Sequence, residues 1–135
     1  MNDSTERSEE PFKKTIDILQ GKQDAKVFVK YDTTKPRMDL LPPEALTEIS
    51  KVLGYGAKKY SAHNWRKATE WSRYSAAALR HLNAWNAGED IDGESGLPHL
   101  AHAGCCIMFL LALQQTAVGT DDRYQSKSKT QGRGE

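Results

Sequence analysis

The sequence predicts an all-α fold, a small helical bundle completed by oligomerisation, and three observations carry that reading. Three segments read as helices, and in the first of them apolar residues recur at three- and four-residue steps, the period of one side of a helix. The links between them are short, and strand-like alternation is confined to Ala25–Tyr31. The third helical segment is apolar nearly all round, more than two partner helices of one chain can cover. A second subunit is therefore expected against it, in a homodimer or homotetramer.

Residues 1–24 read as a flexible N-terminal arm, since Met1 to Lys14 lacks periodicity; a short helical turn is expected at Thr15–Leu19. Ala25–Tyr31 alternates around Val27 and Val29 and suits a short extended segment whose pairing partner is not visible in the sequence. A polar loop, Tyr31–Asp39, leads to Leu40-Leu41-Pro42-Pro43-Glu44, whose prolines can open a helix. The first helix is expected from Pro43 to about Lys59, with Ala45, Leu46, Ile49, Val52 and Leu53 on its stripe and Gly54 and Gly56 weakening its end. The second begins near Trp71, with Ser72 as N-cap, and ends at Gly88. The third spans Pro98 to about Gln115. Residues 25–117 thus form the helical domain, and 118–135, rich in Ser, Lys and Gly, a disordered basic tail.

Charge and hydropathy exclude several classes of function. With 19 Lys+Arg against 18 Asp+Glu, the chain is too near neutrality to coat nucleic acid, and no stable nucleic-acid binding is expected. The longest apolar run, Leu97–Leu113, is broken by Pro98, His99 and His102 and falls short of the roughly 20 residues that span a bilayer, so no membrane partner is expected. The acidic, polar start lacks the basic and apolar regions of a secretory signal, which points to the cytoplasm. Cys105 and Cys106 are adjacent among apolar residues and read as reduced core cysteines, with metal or redox use the alternative.

The candidate site is Gly88–His102, which holds four carboxylates, three glycines and two histidines. His99 and His102 lie at i and i+3 on one side of the third helix, and a tight turn over 88–97 brings His81 of the second helix alongside them. His81, Asp90, Asp92, His99 and His102 are the expected ligands of a divalent metal. Their mix of imidazole and carboxylate suits Mn²⁺, Co²⁺ or Zn²⁺ and is compatible with Mg²⁺ through the carboxylates. A calcium loop of the EF-hand type fails, because Ser95 stands where its glycine and Ala101 where its final glutamate would be. A zinc-protease pattern fails on the spacing of His99-Leu100-Ala101-His102 and on the missing glutamate between them.

The basic residues point to an anionic substrate. Lys35 and Arg37 flank a proline, Lys58 and Lys59 end the first helix, and Arg73 and Arg80 share one side of the second. Each by itself is an ordinary surface charge. Arg80, in the apolar stretch Ala76–Trp85, calls for a partner, a phosphate or an acidic loop residue. Trp65 is either a core residue or a surface on which a base stacks. The expected chemistry is attack of metal-activated water on phosphorus, with a second cation and Arg or Lys groups offsetting the charge of the departing diphosphate. Glu48 or Glu94 would take the water's proton, and Glu44 and Glu48, one turn apart, are further ligands or a general base.

Leu40–Ala45, Gly56–Tyr60, Asn64-Trp65, Ser72-Arg73-Tyr74, Leu79–Leu82, Gly88–Asp92 and Glu94–Ala103 together resemble the phage dATP/dGTP diphosphohydrolases of MazZ type, a branch of the MazG-like all-α pyrophosphohydrolases. The resemblance covers about residues 30–115. It implies cleavage of dGTP, and of dATP, to monophosphate and diphosphate, with dGMP feeding the synthesis of 2-aminoadenine DNA and a deoxynucleoside triphosphate as the small-molecule partner. It also implies Mg²⁺ held by Glu-x-x-Glu and Glu-x-x-Asp pairs, where this chain has His99-x-x-His102 and, on the preceding helix, His81. The ligand set above therefore comes from residue chemistry alone. Two other readings stay open: a different histidine–carboxylate metal phosphohydrolase, and a non-catalytic phage accessory protein that binds nucleic acid.

Overall fold

The computed structural model describes residues 27–67 and 69–125. The segment up to Met38 is a unit of its own, and the helices belong to a second unit from Asp39 onward. In the first unit, Lys35 N–H donates to Asp32 O at 3.0 Å and closes a turn, and Lys30 lies 3.7 Å from the Asp32 carboxylate. Val27–Tyr31 joins no strand among the described residues, so the expected extended segment finds no ladder there. The Thr15–Leu19 turn and the Met1–Lys14 arm lie outside the described residues.

The second unit is helical: α1 (Pro43–Lys59), α2 (Trp71–Asn86) and α3 (His99–Thr116), with short 3₁₀ turns at Met38–Leu40 and Asn64–Lys67. Pro43 sits at the first turn of α1, where its missing N–H costs no hydrogen bond, and Lys58 and Lys59 place positive charge at the carbonyl end. α3 lies against both α1 and α2. Val52 of α1 packs on Ala101 and Cys105 of α3, with Ile49, Leu97 and Phe109 around them. Gly104 permits the close approach of α1, since a Cβ there would stand 3.2 Å from Ile49 Cδ1. The interior is built mostly from small side chains, and Leu113, 2% exposed, is its largest fully buried residue.

The end of α2 is a Schellman turn: Gly88 takes φ +97°, its N–H reaches Trp85 O at 2.9 Å, and Glu89 N–H reaches Ala84 O at 3.1 Å. The start of α2 departs from expectation. Ser72 lies inside the helix, and the N-cap position belongs to Glu70, whose side chain makes no capping bond. The cap comes from the far end of the chain: Thr120 O accepts from Trp71 N–H at 3.0 Å, and Asp122 Oδ1 accepts from Ser72 N–H at 2.9 Å. The Ser72 hydroxyl donates to the other carboxylate oxygen of Asp122. Val118–Asp122, expected to begin a disordered tail, is thus tied to α2. Gly119 is required in that strap, with φ +89° and Thr69 O only 2.7 Å from where a Cβ would be. The tail beyond Tyr124 and Gln125 lies outside the described residues.

Candidate active site

The loop between α2 and α3 is a small stitched hairpin. Ile91 and Pro98 form an antiparallel bridge, Asp92 N–H donates to Leu97 O at 2.9 Å, and His99 N–H donates to Asp90 O at 2.9 Å. Gly96 turns the chain with φ +70°, its N–H on Asp92 O at 2.8 Å. Pro98, expected within the first turn of α3, sits one residue earlier as its N-cap, accepting from Ala101 and His102 N–H through its carbonyl. α3 then begins with His99.

Three of the five expected metal ligands converge. His81, Asp92 and His99 each place a ligand atom within 4.8 Å of the others. His81 Nδ1 and His99 Nδ1 are 2.9 Å apart. The rings of His81 and His102 stack with centroids 4.4 Å apart and planes 10° from parallel, which puts the fourth residue beside the cluster. Asp90 is the exception: it serves the site through its carbonyl, and its side chain is exposed.

Ser95 joins His102 to Asp92. Its hydroxyl donates to Asp92 Oδ2 at 2.8 Å and accepts from Leu97 N–H at 3.2 Å, and His102 Nε2 lies 2.6 Å away. With its one proton given to Asp92, Ser95 Oγ takes the Nε2–H of His102 in its remaining acceptor site. Burial lowers the pKa of His102, and Asp92 opposes that shift. Burial also lowers His81, helped by His102. For Asp92 burial pushes upward, but the two hydrogen bonds from Ser95 outweigh it and the carboxyl ends below its usual range. Neutral imidazoles beside an ionised carboxylate are the protonation states a cation needs.

The donor set fits a divalent metal. Adjacent donors on an octahedral cation with bonds of ~2.1 Å lie about 3 Å apart, close to the separation of the two Nδ1 atoms. His99, 5% exposed, has a buried Nε2 with no hydrogen-bond partner among the described residues, and Glu89 Oε1 is 3.3 Å from it.

An open cleft of about 1140 Å³ is lined by His81, Asp92 and His102 together with Arg80, Tyr60, Trp65 and Tyr74. That is roomy enough for a nucleotide, given ligand pockets of roughly 300–1,000 Å³. The expected phosphate-binding residues separate here. Lys59, Arg73 and Arg80 line the cleft, whereas Lys58 does not. Lys35 and Arg37 lie in the unit that ends at Met38. Arg80 is exposed and pairs with no carboxylate among the described residues, so the acidic loop partner expected for it is absent from them. Trp65 has Phe109 stacked on it at 4.5 Å and the Arg66 guanidinium over its ring at 4.4 Å. Two groups so close cannot share one side of the ring, so a base reaches it only by displacing Arg66.

Among the expected proton acceptors, Glu94 faces the cleft. Its Oε1 accepts from Lys59 Nζ at 2.6 Å and from Tyr55 O–H at 3.2 Å, tying the loop to α1. The Lys59 hydrogen bond and charge hold its carboxyl below the usual range. Glu48 is engaged with Lys51 at 2.6 Å, and Glu44 is exposed on the first turn of α1; neither lines the cleft. Sequence reasoning left out Ser95 and Tyr55, both visible as hydrogen-bonding side chains but without a spacing that singles them out. Cys105 and Cys106 are free, and burial pushes the Cys105 thiol up to about 12, in keeping with a core role.

The model of the dATP/dGTP diphosphohydrolase N-terminal domain matches residues 26–123. A dATP/dGTP diphosphohydrolase of Salmonella phage PMBT28 is 34% identical over 98 residues, which are 73% of this chain and 33% of the relative. The chain therefore spans about a third of that relative's length. No solved structure matches the chain. The matched span includes all three helices, the stitched loop and the capping strap, and the chain belongs to the dATP/dGTP diphosphohydrolase N-terminal family.

Proposed function

We propose that this chain hydrolyses dGTP, and dATP, to the nucleoside monophosphate and diphosphate with a divalent metal, Mg²⁺, Mn²⁺ or Co²⁺, and so supplies dGMP for 2-aminoadenine nucleotide synthesis in a phage. The observation that carries the reading is the meeting of His81, Asp92 and His99, with His81 and Asp92 lining a cleft that Lys59, Arg73 and Arg80 also line. The activity named for the phage relative supports the same reading.

His81, Asp92 and His99 would hold the metal, with His102 beside them and Asp90 shaping the loop through its carbonyl. A cation bound there supplies positive charge for phosphate oxygens and polarises the phosphorus centre. Arg80 and Arg73 bind the phosphate chain by charge-assisted hydrogen bonds, which orient it along the cleft. Lys59 holds Glu94 ionised at the cleft wall, where that carboxylate takes a proton from the attacking water. Tyr60, Tyr74 and the covered Trp65 line the same cleft and offer aromatic surface for a nucleoside.

The apolar residues left open on α3 support an oligomer. Leu100, Ile107, Met108 and Leu111 are each at least 44% exposed, and Leu79 and Leu82 of α2 add to that surface. A second copy of the chain covers them in a homodimer or homotetramer, and light scattering at micromolar concentration reports its mass; a monomer sinks that part of the reading. No helix among the described residues is long and apolar enough to cross a membrane; the reading places the enzyme in the cytoplasm of a phage host.

The test is product analysis by chromatography, with the eight common nucleoside triphosphates and several divalent metals. Monophosphate and diphosphate from dGTP and dATP, only with metal, are expected. Triphosphate or orthophosphate as the product would replace the reading with a different metal phosphohydrolase. Salt-sensitive DNA binding without turnover would replace it with a nucleic-acid accessory protein.

A further inference from the structure

We infer that Glu89 is a positioning residue for His99: its carboxylate takes the Nε2–H of that ring and so selects the tautomer whose Nδ1 lone pair points toward His81. The inference rests on the metal-site reading above, and it comes from a proton count. His81 Nδ1 and His99 Nδ1, 2.9 Å apart, share a single proton when both rings are neutral, so one ring donates and the other accepts. If His99 were the donor, its Nε2 would carry a bare lone pair, buried and facing Glu89 Oε1 at 3.3 Å. A buried lone pair would then stand against a carboxylate oxygen with no proton between them, which costs free energy. With the proton on Nε2, that nitrogen lies 3.3 Å from the carboxylate oxygen, and a turn of the exposed Glu89 side chain closes the contact into a hydrogen bond while the Nδ1 lone pair stays toward His81.

Backbone hydrogen bonds fix Glu89 in this role. Its own N–H is held by Ala84 O in the Schellman turn that ends α2, and the next residue, Asp90, accepts from the His99 N–H. The carboxylate is thereby delivered to the start of α3 by its own N–H and by the residue that follows it. Ser95 does for His102 what Glu89 does for His99, receiving Nε2–H and passing the contact on to an acidic residue, Asp92. One short loop thus orients both histidines of α3. A carboxylate on the outer nitrogen also raises the basicity of the inner one.

The experiment is long-range proton–nitrogen correlation of the histidine rings in the metal-free full chain at pH 8, with Mn²⁺ affinity measured by calorimetry. His99 is assigned by comparison with His99→Gln. In the wild type His99 is expected as the Nε2–H tautomer. Glu89→Ala should move part or all of the population to Nδ1–H and weaken Mn²⁺ binding by about tenfold to a hundredfold. Glu89→Gln, whose amide oxygen still accepts, should restore most of both. The Glu89 side chain is 59% exposed and its backbone N–H survives substitution, so the variants keep the fold. A wild-type His99 in the Nδ1–H form, or a His99 that stays Nε2–H in Glu89→Ala, overturns the inference whatever the affinity. A wild type that binds no Mn²⁺ defeats the metal reading, and the tautomer measurement still decides the role of Glu89.

Discussion

His81 and His99 are 18 residues apart in the chain, yet their Nδ1 atoms face each other at 2.9 Å, one from the middle of α2 and one from the first residue of α3. Neither nitrogen has another hydrogen-bond partner among the described residues, so a cation held by both rings would replace that one contact with two bonds. His81→Ala and His99→Ala should each remove most of the Mn²⁺ affinity and of the metal-dependent turnover. The double variant should be little worse than either, since parts of one unit are not additive. Calorimetry and dGTP hydrolysis on the three proteins check this. Wild-type turnover in the double variant would move the site away from the histidines.

Arg80 should contribute to substrate binding far more than Lys58. Both are exposed, but Arg80 lines the cleft beside His81 and Lys58 lies outside it. Loss of one charge-assisted phosphate contact removes on the order of 1.5–3 kcal/mol, about tenfold to a hundredfold in turnover at low substrate. Arg80→Ala should show that loss and Lys58→Ala almost none, measured as kcat/KM for dGTP. Equal values for the two folded variants would take Arg80 out of the site.

The helices were legible because their signals are local. Pro43 opens α1 and Lys59 closes it, and Gly88 ends α2, each where the sequence places it. The meeting of His81 with His99 and Asp92 was legible for a related reason: a short glycine-bearing loop leaves α2 and α3 little choice but to lie side by side. The strap at Gly119–Asp122 was not legible. Its residues look like a polar tail, and only the unpaired N–H groups at the start of α2, about 50 residues earlier, explain their order. For the same reason Ser72 looked like a cap; a side chain that could cap locally receives a cap from far away instead. The pairing of Glu94 was also hidden, because Lys59 lies 35 residues earlier in the chain, whereas Glu48 and Lys51 are a local pair one turn apart on α1.

Asp122 should make the strap sensitive to acid. The Ser72 side-chain and backbone hydrogen bonds hold its carboxyl below the usual range, so the folded state binds a proton less readily than the unfolded chain. The contribution to stability is then fully present above the unfolded value near pH ~3.9 and is lost as pH falls through the lower folded value. At pH 7 wild type should melt above Asp122→Ala. The two melting temperatures should converge as pH drops below about 4. A gap that stays constant across that window would mean that the carboxylate charge contributes nothing to the cap.

Ser95 should be worth more than a loop serine. Its hydroxyl is fully committed, donating to Asp92 and accepting from Leu97 N–H and His102 Nε2–H. Removing it strands a half-buried imidazole N–H and takes one of two Ser95 donors from the Asp92 carboxylate. A buried polar group left without a partner costs ~1–3 kcal/mol. Ser95→Ala should therefore lose a stability of that order by chemical denaturation, while Ser61→Ala, on an exposed turn, should change little. The consequence for the metal is separate. With Ser95 gone, His102 is free to turn off the His81 ring, and Asp92 loses a bond that keeps it ionised, so Mn²⁺ affinity should fall as well. Ser95→Thr keeps the hydroxyl and should recover most of the affinity if the added methyl is accommodated, as the exposed rim of the loop at Glu94 and Gly96 permits. Unchanged stability and unchanged Mn²⁺ binding in Ser95→Ala would show that Asp92 and His102 hold their places without it.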